Sequence, residues 1–234
     1  MLLLGLDVET TGLDVTEEWI IEIGLVLWDT QLNQPVRIFS ELVLEKPDLA
    51  LSKEIEELTG ITTSMLHQFA DAPDGRLFDK IDQMVAQADL MVAHNAPFDR
   101  GFIEAFYQRW DRQFPQKDWL CTLADVEYPK AIRSKSLIYL AGAHGFANPF
   151  AHRAVTDVLT MFKVLSHYPL EPAIKNATSP KLSLIARVTY DERDKAKEQG
   201  FRWDGKNKQW KKTVRQVDFK PGELPFEVNV IELT

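Results

Sequence analysis

The chain changes period along its length, and the changes mark its elements. Leu2 to Val8, Ile20 to Trp28 and Val36 to Leu44 show short apolar runs or two-residue alternation, which predicts three strands; Leu90 to Ala93 and Trp119 to Thr122 predict two more. Apolar residues recur at helical steps over Lys53 to Leu58, Arg76 to Gln87, Pro97 to Arg112, Ser136 to Ala143 and Ala154 to Tyr168. Strands come first and then alternate with helices, the order of an α/β domain built on a mixed sheet. In "YPLEPAIKNATSPK" the pattern breaks at Pro169, Pro172, Pro180 and an Asn-Ala-Thr-Ser run. The expected organisation is a domain over residues 1–170, a linker over 171–182 and a small α+β domain over 183–234. Within the last, "VTYDERDKAKEQGFRWDGKNKQWKK" predicts a strand, a short helix ended by Gly200, a turn at Asp204-Gly205 and a second strand.

Composition narrows the class. With 45% hydrophobic and 26% charged residues among 234, the chain has material for one sizeable core and a small second one. No apolar run approaches the roughly 18 to 20 residues of a membrane span, and the N-terminus lacks the basic flank of a signal peptide. A single cysteine, Cys121, excludes an internal disulfide and reads as a buried structural thiol. The expectation is a cytoplasmic protein with no membrane partner. The net charge of −8 argues against a polyanionic partner until its distribution is considered. Residues 1–180 carry 15 Lys+Arg against 26 Asp+Glu, whereas residues 181–234 carry 12 against 9, all 12 basic ones within 181–220. Phe201, Trp203 and Trp210 are interleaved with that basic run. They suit stacked bases beside phosphate-binding cations; equally, they suit the core of a small domain with the lysines as its solvated face.

Three stretches carry candidate chemistry. In "GLDVETTGLD", Asp7 and Glu9 fall on one face of a strand, with Leu6 and Val8 on the other. Two carboxylates so placed repel unless a cation lies between them, and a hard divalent ion is the usual one; a solvated acidic strand end is the alternative. In "MVAHNAPFDRGF", a strand runs into a helix with Asn95 as N-cap, Pro97 in its first turn and Asp99 just behind, which a helix start explains by itself. In "PFAHRAVTDVLTMF", His152 precedes a helix that carries Asp157. Five helical residues turn through about 500°, so the two would not share a face; if both serve one site, His152 lies on the loop before the helix.

Taken in order, Asp-x-Glu-Thr-Thr-Gly, His-Asn-Ala-Pro-Phe-Asp and His followed five residues later by Asp resemble the DEDDh branch of the DEDD 3′-to-5′ exonucleases, the family of the proofreading subunit of bacterial replicative DNA polymerase and of ribonuclease T. The resemblance spans about residues 1–168 and includes "LTGITTSML" after the third strand. It implies a ribonuclease H-like mixed central sheet flanked by helices, and catalytic residues Asp7, Glu9, Asp99, His152 and Asp157. It also implies two divalent cations, Mg²⁺ or Mn²⁺: Asp7 bridging them, Glu9 and Asp157 completing the first, Asp99 supporting the second, and His152 as general base. Acid ligands balanced by metal also reconcile an acidic domain with an anionic substrate. By the same resemblance Thr10, Thr11, Gly12, Leu13, Asn95 and Phe98 lie against the terminal nucleotide, Leu13 as an apolar wedge; Phe98 has a core reading and Leu13 a turn reading beside it. The implied reaction is hydrolysis of terminal phosphodiester bonds, of single-stranded DNA ahead of RNA, in repair, replication or proofreading, with a replication or repair protein as a possible partner. The alternatives are an exoribonuclease trimming RNA 3′ ends and a non-catalytic nucleic-acid-binding or tethering subunit. The basic tail resembles small modules attached to bacterial and phage DNA-processing proteins.

Overall fold

The computed structural model describes residues 1–233. The chain divides between Ala177 and Thr178 into two compact units. The first contains β1 (Leu2–Thr10), β2 (Ile20–Asp29), β3 (Gln34–Leu42), α1 (Lys53–Thr59), α2 (Thr63–Phe69), α3 (Gly75–Gln87), β4 (Leu90–Ala93), α4 (Ala96–Arg109), β5 (Trp119–Cys121), α5 (Thr122–Asp125), α6 (Leu137–Ala143), α7 (Ala154–Leu165) and α8 (Leu170–Ala177). Its sheet has the order β3-β2-β1-β4-β5. β1 pairs antiparallel with β2 and parallel with β4, so the sheet is mixed and its central strand begins the chain.

β1 divides its side chains between two cores. Leu4, Leu6 and Val8 join Phe78 and Ile81 of α3 and Phe102, Ile103 and Phe106 of α4, while Leu3 joins Val158, Met161 and Phe162 of α7 on the other face. Each such aromatic is worth about 1.5 to 3 kcal/mol relative to exposure. α7 lies close because glycines face it. A Cβ on Gly5 would come within 2.4 Å of Val158, and one on Gly24 within 2.4 Å of the Val155 backbone nitrogen. Cys121 is buried and unpaired. Among the described residues no helix is long and apolar enough to cross a membrane.

Most of the stretch read as linker is helical. α8 covers 170–177 and buries Ala173 and Asn176, and Asn176 donates to the Asp125 carbonyl at 2.9 Å. Pro172 is compatible with this because it sits in the first turn, where no intrahelical N–H is needed.

The second unit contains β6 (Lys181–Ala186), a 3₁₀ turn (Tyr190–Glu192), α9 (Arg193–Glu198), β7 (Arg202–Asp204), β8 (Gln209–Arg215), a 3₁₀ turn (Gln216–Asp218) and β9 (Val228–Leu233), with sheet order β7-β8-β6-β9. The strand expected at Val188-Thr189-Tyr190 is instead a helix start. Thr189 and Glu192 form a reciprocal capping box, a local use of polar side chains that outcompetes strand pairing. β9, which the alternation did not reveal, completes the sheet beside β6. Leu182, Leu184, Ala196 and Phe201 form the core, with Trp210 packed against them. Trp203 departs from the core reading: it is 53% exposed.

Candidate active site

The site begins where β1 outruns its parallel neighbour. The β1–β4 register ends with Gly5 opposite Val92, and β4 stops at Ala93. Asp7, Val8 and Glu9 continue beyond it, paired with β2 through Gly24, Ile23 and Glu22. The chain leaves β4 through His94 and Asn95 and enters α4 at once, which sets the first turn of α4 beside this part of β1. Asn95 holds the N-cap position without a side-chain cap bond, at φ +91°, so the capping expected of its amide is not made. The αL backbone, which Asn tolerates better than most residues, makes the sharp entry instead. Asp99 is 2% exposed and its carboxylate is hydrogen-bonded by the backbone N–H of Val8. That is more than a charge complementing a helix dipole.

Asp157 arrives from the other face. Because Gly24 lies opposite Asp7 in the ladder and has no side chain, the start of α7 presses onto β2 there and brings Asp157 over the acidic end of β1. The preceding loop folds back onto Asp157. Asn148 Nδ2 and the His152 backbone N–H, the latter at 3.2 Å, both donate to its carboxylate. His152 is exposed, with φ +61°, and lies on the loop as the 500° argument requires. Carboxylate oxygens of Glu9 and Asp157 and a ring nitrogen of His152 all lie within 4.8 Å of one another.

Two residues absent from the sequence reading brace this arrangement. Glu22 is 1% exposed and sits opposite Glu9 in the ladder. Its carboxylate accepts from Arg153 Nη2 at 2.8 Å, from Arg153 Nε at 3.1 Å and from the Ala154 N–H at 2.9 Å. This fork ties β2 to the residue after His152 and to the first residue of α7. The one available signal was a charged residue inside the apolar run "IIEIGLVL"; nothing local names its partner.

The electrostatics of the acids are one-sided. Burial, then the charges of Asp99, Glu9, Asp157 and Glu22, hold the Asp7 carboxyl well above the usual range. Burial, then Asp157, Glu22 and Asp99, push Glu9 up to about 8, with Arg153 opposing only weakly. Burial raises Asp99 against the pull of its own N–H and that of Val8, and raises Asp157 against the His152 N–H. Among the described residues no Lys or Arg forms an ion pair with Asp7, Glu9, Asp99 or Asp157, since the nearest guanidinium is spent on Glu22. Four crowded oxygen donors without an organic counter-charge fit hard divalent cations.

The expected substrate contacts are less uniform. Leu13 projects into solvent at 86% exposure on the turn after Glu9. Thr10 Oγ1 donates to the Gly12 carbonyl at 2.6 Å and Thr11 Oγ1 donates to Glu18. The Thr11 backbone N–H donates to the Trp19 carbonyl at 2.9 Å and closes the turn, so it is not free to meet a nucleotide. Asn95 is exposed, while Phe98 is half-buried and packs on Phe102 with ring centroids 4.7 Å apart.

A central strand ending in two acids is met by a third from one helix and a fourth from another, with a loop histidine alongside, a donor set suited to hard divalent cations. Residues 4–165 match the family model described as Exonuclease, RNase_T, and the chain belongs to that family. Residues 183–231 match a domain of unknown function, DUF8626. The 3′-5′ exonuclease DinG of Staphylococcus aureus strains USA300 and NCTC 8325 is 29% identical over 227 residues, 92% of this chain and 24% of the relative. The chain thus spans about a quarter of the length of these curated relatives. Among solved structures, the nuclease domain of 3′hExo, a DEDDh family member bound to rAMP, superposes with TM-score 0.58 at 18% identity, covering 71% of this chain and 90% of that one. The zinc-bound form of the Escherichia coli ExoI–ssDNA complex gives 0.62 at 14% identity, covering 80% and 48%. These likenesses establish the ribonuclease H-like fold: a five-stranded mixed sheet flanked by helices.

Proposed function

We propose that the chain removes nucleotides stepwise from the 3′ end of single-stranded DNA in the cytoplasm, with two Mg²⁺ or Mn²⁺ ions held by Asp7, Glu9, Asp99 and Asp157 and with His152 as general base. The observation that carries this reading is the convergence of four acids from three distant segments, without a basic partner, beside an exposed imidazole. Bound there, the ions supply Lewis acidity toward the attacking water and the leaving 3′ oxygen. The carboxylates hold that charge and fix its place on a rigid strand end. A ring nitrogen of His152 accepts the proton of the attacking water, a role worth roughly 10²- to 10⁴-fold in rate. The His152 N–H bond to Asp157 and the Glu22–Arg153 fork hold its loop at the site. Leu13, free in solvent, suits an apolar contact with the terminal base, and Asn95, with no cap to make, suits a polar one. Phe98 supports the helix behind them, and the Thr10–Thr11–Gly12 turn sets the position of Leu13.

A second substrate has support of its own: 3′hExo was solved with rAMP bound, so matched RNA belongs in the assay. The test is release of mononucleotides from labelled DNA and RNA single strands with Mg²⁺ or Mn²⁺. Asp7→Asn should abolish release, and His152→Ala should slow it at least about 10²-fold with an unchanged circular dichroism spectrum. Wild-type turnover in Asp7→Asn would refute the metal assignment, and faster trimming of RNA than of DNA would reassign the substrate.

A further inference from the structure

The second unit carries a feature that the nuclease chemistry does not use. β7 has only three residues, so β8 loses its neighbour beyond Lys211 and the sheet edge opens into a notch of about 470 Å³. Arg202, Trp203, Asp204, Lys211 and Lys212 line it. Trp203 is more than half in water and rests against Trp210 at 5.6 Å between ring centroids. An indole left so exposed contributes little to the core of its own domain.

The charges point the same way. Arg202 and Lys211 are directly opposite in the β7–β8 ladder, an arrangement of like charges that opposes folding. Lys206 and Lys208, both exposed, extend the positive surface along the adjoining turn. None of these four forms an ion pair among the described residues, whereas Arg187, Lys195, Lys197 and Lys220 of the same unit are each matched to an acid. Asp204, the acid in the notch, is committed to its own turn. It accepts from the backbone N–H groups of Lys206 and Asn207 at 3.0 and 3.1 Å and from the Asn207 amide at 2.8 Å. Lys212 is likewise fixed, donating to the Gln199 carbonyl at 2.9 Å. What remains free around the short edge strand is an indole on one face of the β7–β8 pair and, on the other face, Arg202 and Lys211, with Lys206 and Lys208 on the turn that joins the two.

We propose that this notch binds single-stranded nucleic acid that crosses the edge of β7, with backbone phosphates at Arg202 and Lys211 on one face, further phosphates along Lys206 and Lys208, and an unpaired base stacked on Trp203 on the other face. Phosphates supply the counter-charge that the strand pair lacks, and a base supplies the cover that the indole lacks. The bases of a duplex are already stacked on one another, so the occupant is a single strand. This inference does not rest on the cleavage reading, because binding requires neither metal nor the acids of the first unit.

The experiment is fluorescence anisotropy of a labelled oligonucleotide of about 20 residues against the full chain in EDTA, over a salt series of about 50 to 300 mM. Arg202→Glu/Lys211→Glu should weaken binding at least about tenfold and lower the slope of log affinity against log salt by about 1.4, the share of two phosphates on a single strand. Trp203→Ala should cost roughly 5- to 100-fold, and Trp203→Phe should restore most of it. Should the charge-reversed protein fail to fold, Arg202→Gln/Lys211→Gln gives the same reading with a smaller loss. Wild-type affinity in the folded charge variants would overturn the proposal. So would a duplex of equal length competing as well as the single strand. Because the assay involves no turnover, absence of nuclease activity would overturn the previous section and leave this result standing.

Discussion

In the first unit Glu9 and Asp99 are almost wholly withdrawn from water and form no ion pair among the described residues, with Arg153 acting only weakly on Glu9. In the second, Arg202 and Lys211 lie side by side at the sheet edge and form no ion pair among the described residues, with Asp204 acting only weakly on Lys211. Both are clusters of like charge, yet their physical weight differs. A buried carboxylate that stays ionised costs several kcal/mol unless something compensates it, and here the fold answers with carboxyls that hold their protons well above the usual range. An exposed cation remains hydrated and costs tenths of a kcal/mol, screened further by salt. The acidic cluster therefore implies a tightly bound counter-ion and a response to pH. The basic cluster implies a diffuse partner and a response to ionic strength.

One buried acid stands outside this contrast, and breaking its exception gives the largest expected effect. Glu22 has a counter-charge of its own in Arg153. Arg153→Met keeps an unbranched stem of similar packing but removes the guanidinium and leaves the Glu22 carboxylate buried beside Glu9, which should cost about 3 to 5 kcal/mol in urea unfolding. Glu22→Gln/Arg153→Met, which removes both charges, should recover most of that loss while leaving cleavage impaired, since the loop that carries His152 loses its brace. A single Arg153→Met variant as stable as wild type would show that Glu22 is compensated in some other way.

Much of this was legible in the sequence, and what escaped has a common cause. Asp7, Glu9, Asp99, His152 and Asp157 could be named because the order of their three motifs resembles a known family; each local pattern by itself, strand alternation, a helix start or a five-residue step, had an ordinary structural explanation. The limits of β4, α1 and α6 followed from periodicity. Glu22 with Arg153, and Gly24 beneath α7, escaped because each is defined by a partner more than a hundred residues away. Gly24 did leave a mark, as an isolated glycine within an apolar strand signals a close backbone approach. The helix over 170–177 was hidden by prolines that look like breakers but sit where a helix accepts them. Trp203 kept both a base-stacking and a core reading because composition cannot distinguish it from Trp210; only the folded chain separates an indole more than half in water from one packed against the small core.

The next effect in size sharpens the pH side of the contrast. In the folded, metal-free protein the Glu9 carboxyl keeps its proton up to about pH 8, whereas in the unfolded chain it begins to lose it near 4.5. The folded state thus binds more protons across that window, and the stability tied to Glu9 is complete below about pH 4.5 and lost as pH rises through 8. Asp7, Asp99 and Asp157 act in the same direction. Without divalent ions the unfolding free energy should therefore fall by at least about 3 kcal/mol between pH 5 and pH 8. Millimolar Mg²⁺ or Mn²⁺ should restore it at pH 8 and do little at pH 5, where protons already occupy the ligands. A melting temperature in EDTA that stays level or rises over that range would remove the thermodynamic argument for the metal.

The smallest effect concerns the exposed cluster and should have the opposite sign from an ordinary mutation. Lys211→Gln removes one of two like charges facing each other across a strand pair and breaks no ion pair, so the chain should be stabilised by about 0.2 to 1 kcal/mol at low salt. The gain should shrink toward zero as the salt concentration approaches 1 M, where the screening length falls to about 3 Å. Chemical denaturation in urea, which adds no ions of its own, at two salt concentrations reads both numbers. A residue whose removal makes the folded protein more stable is one that folding did not require, and at Lys211 binding is the function left to account for it. A loss of stability that persists in high salt would instead make Lys211 a structural member of the sheet edge, and the contrast between a metal-seeking and a polyanion-seeking cluster would then rest on the first unit alone.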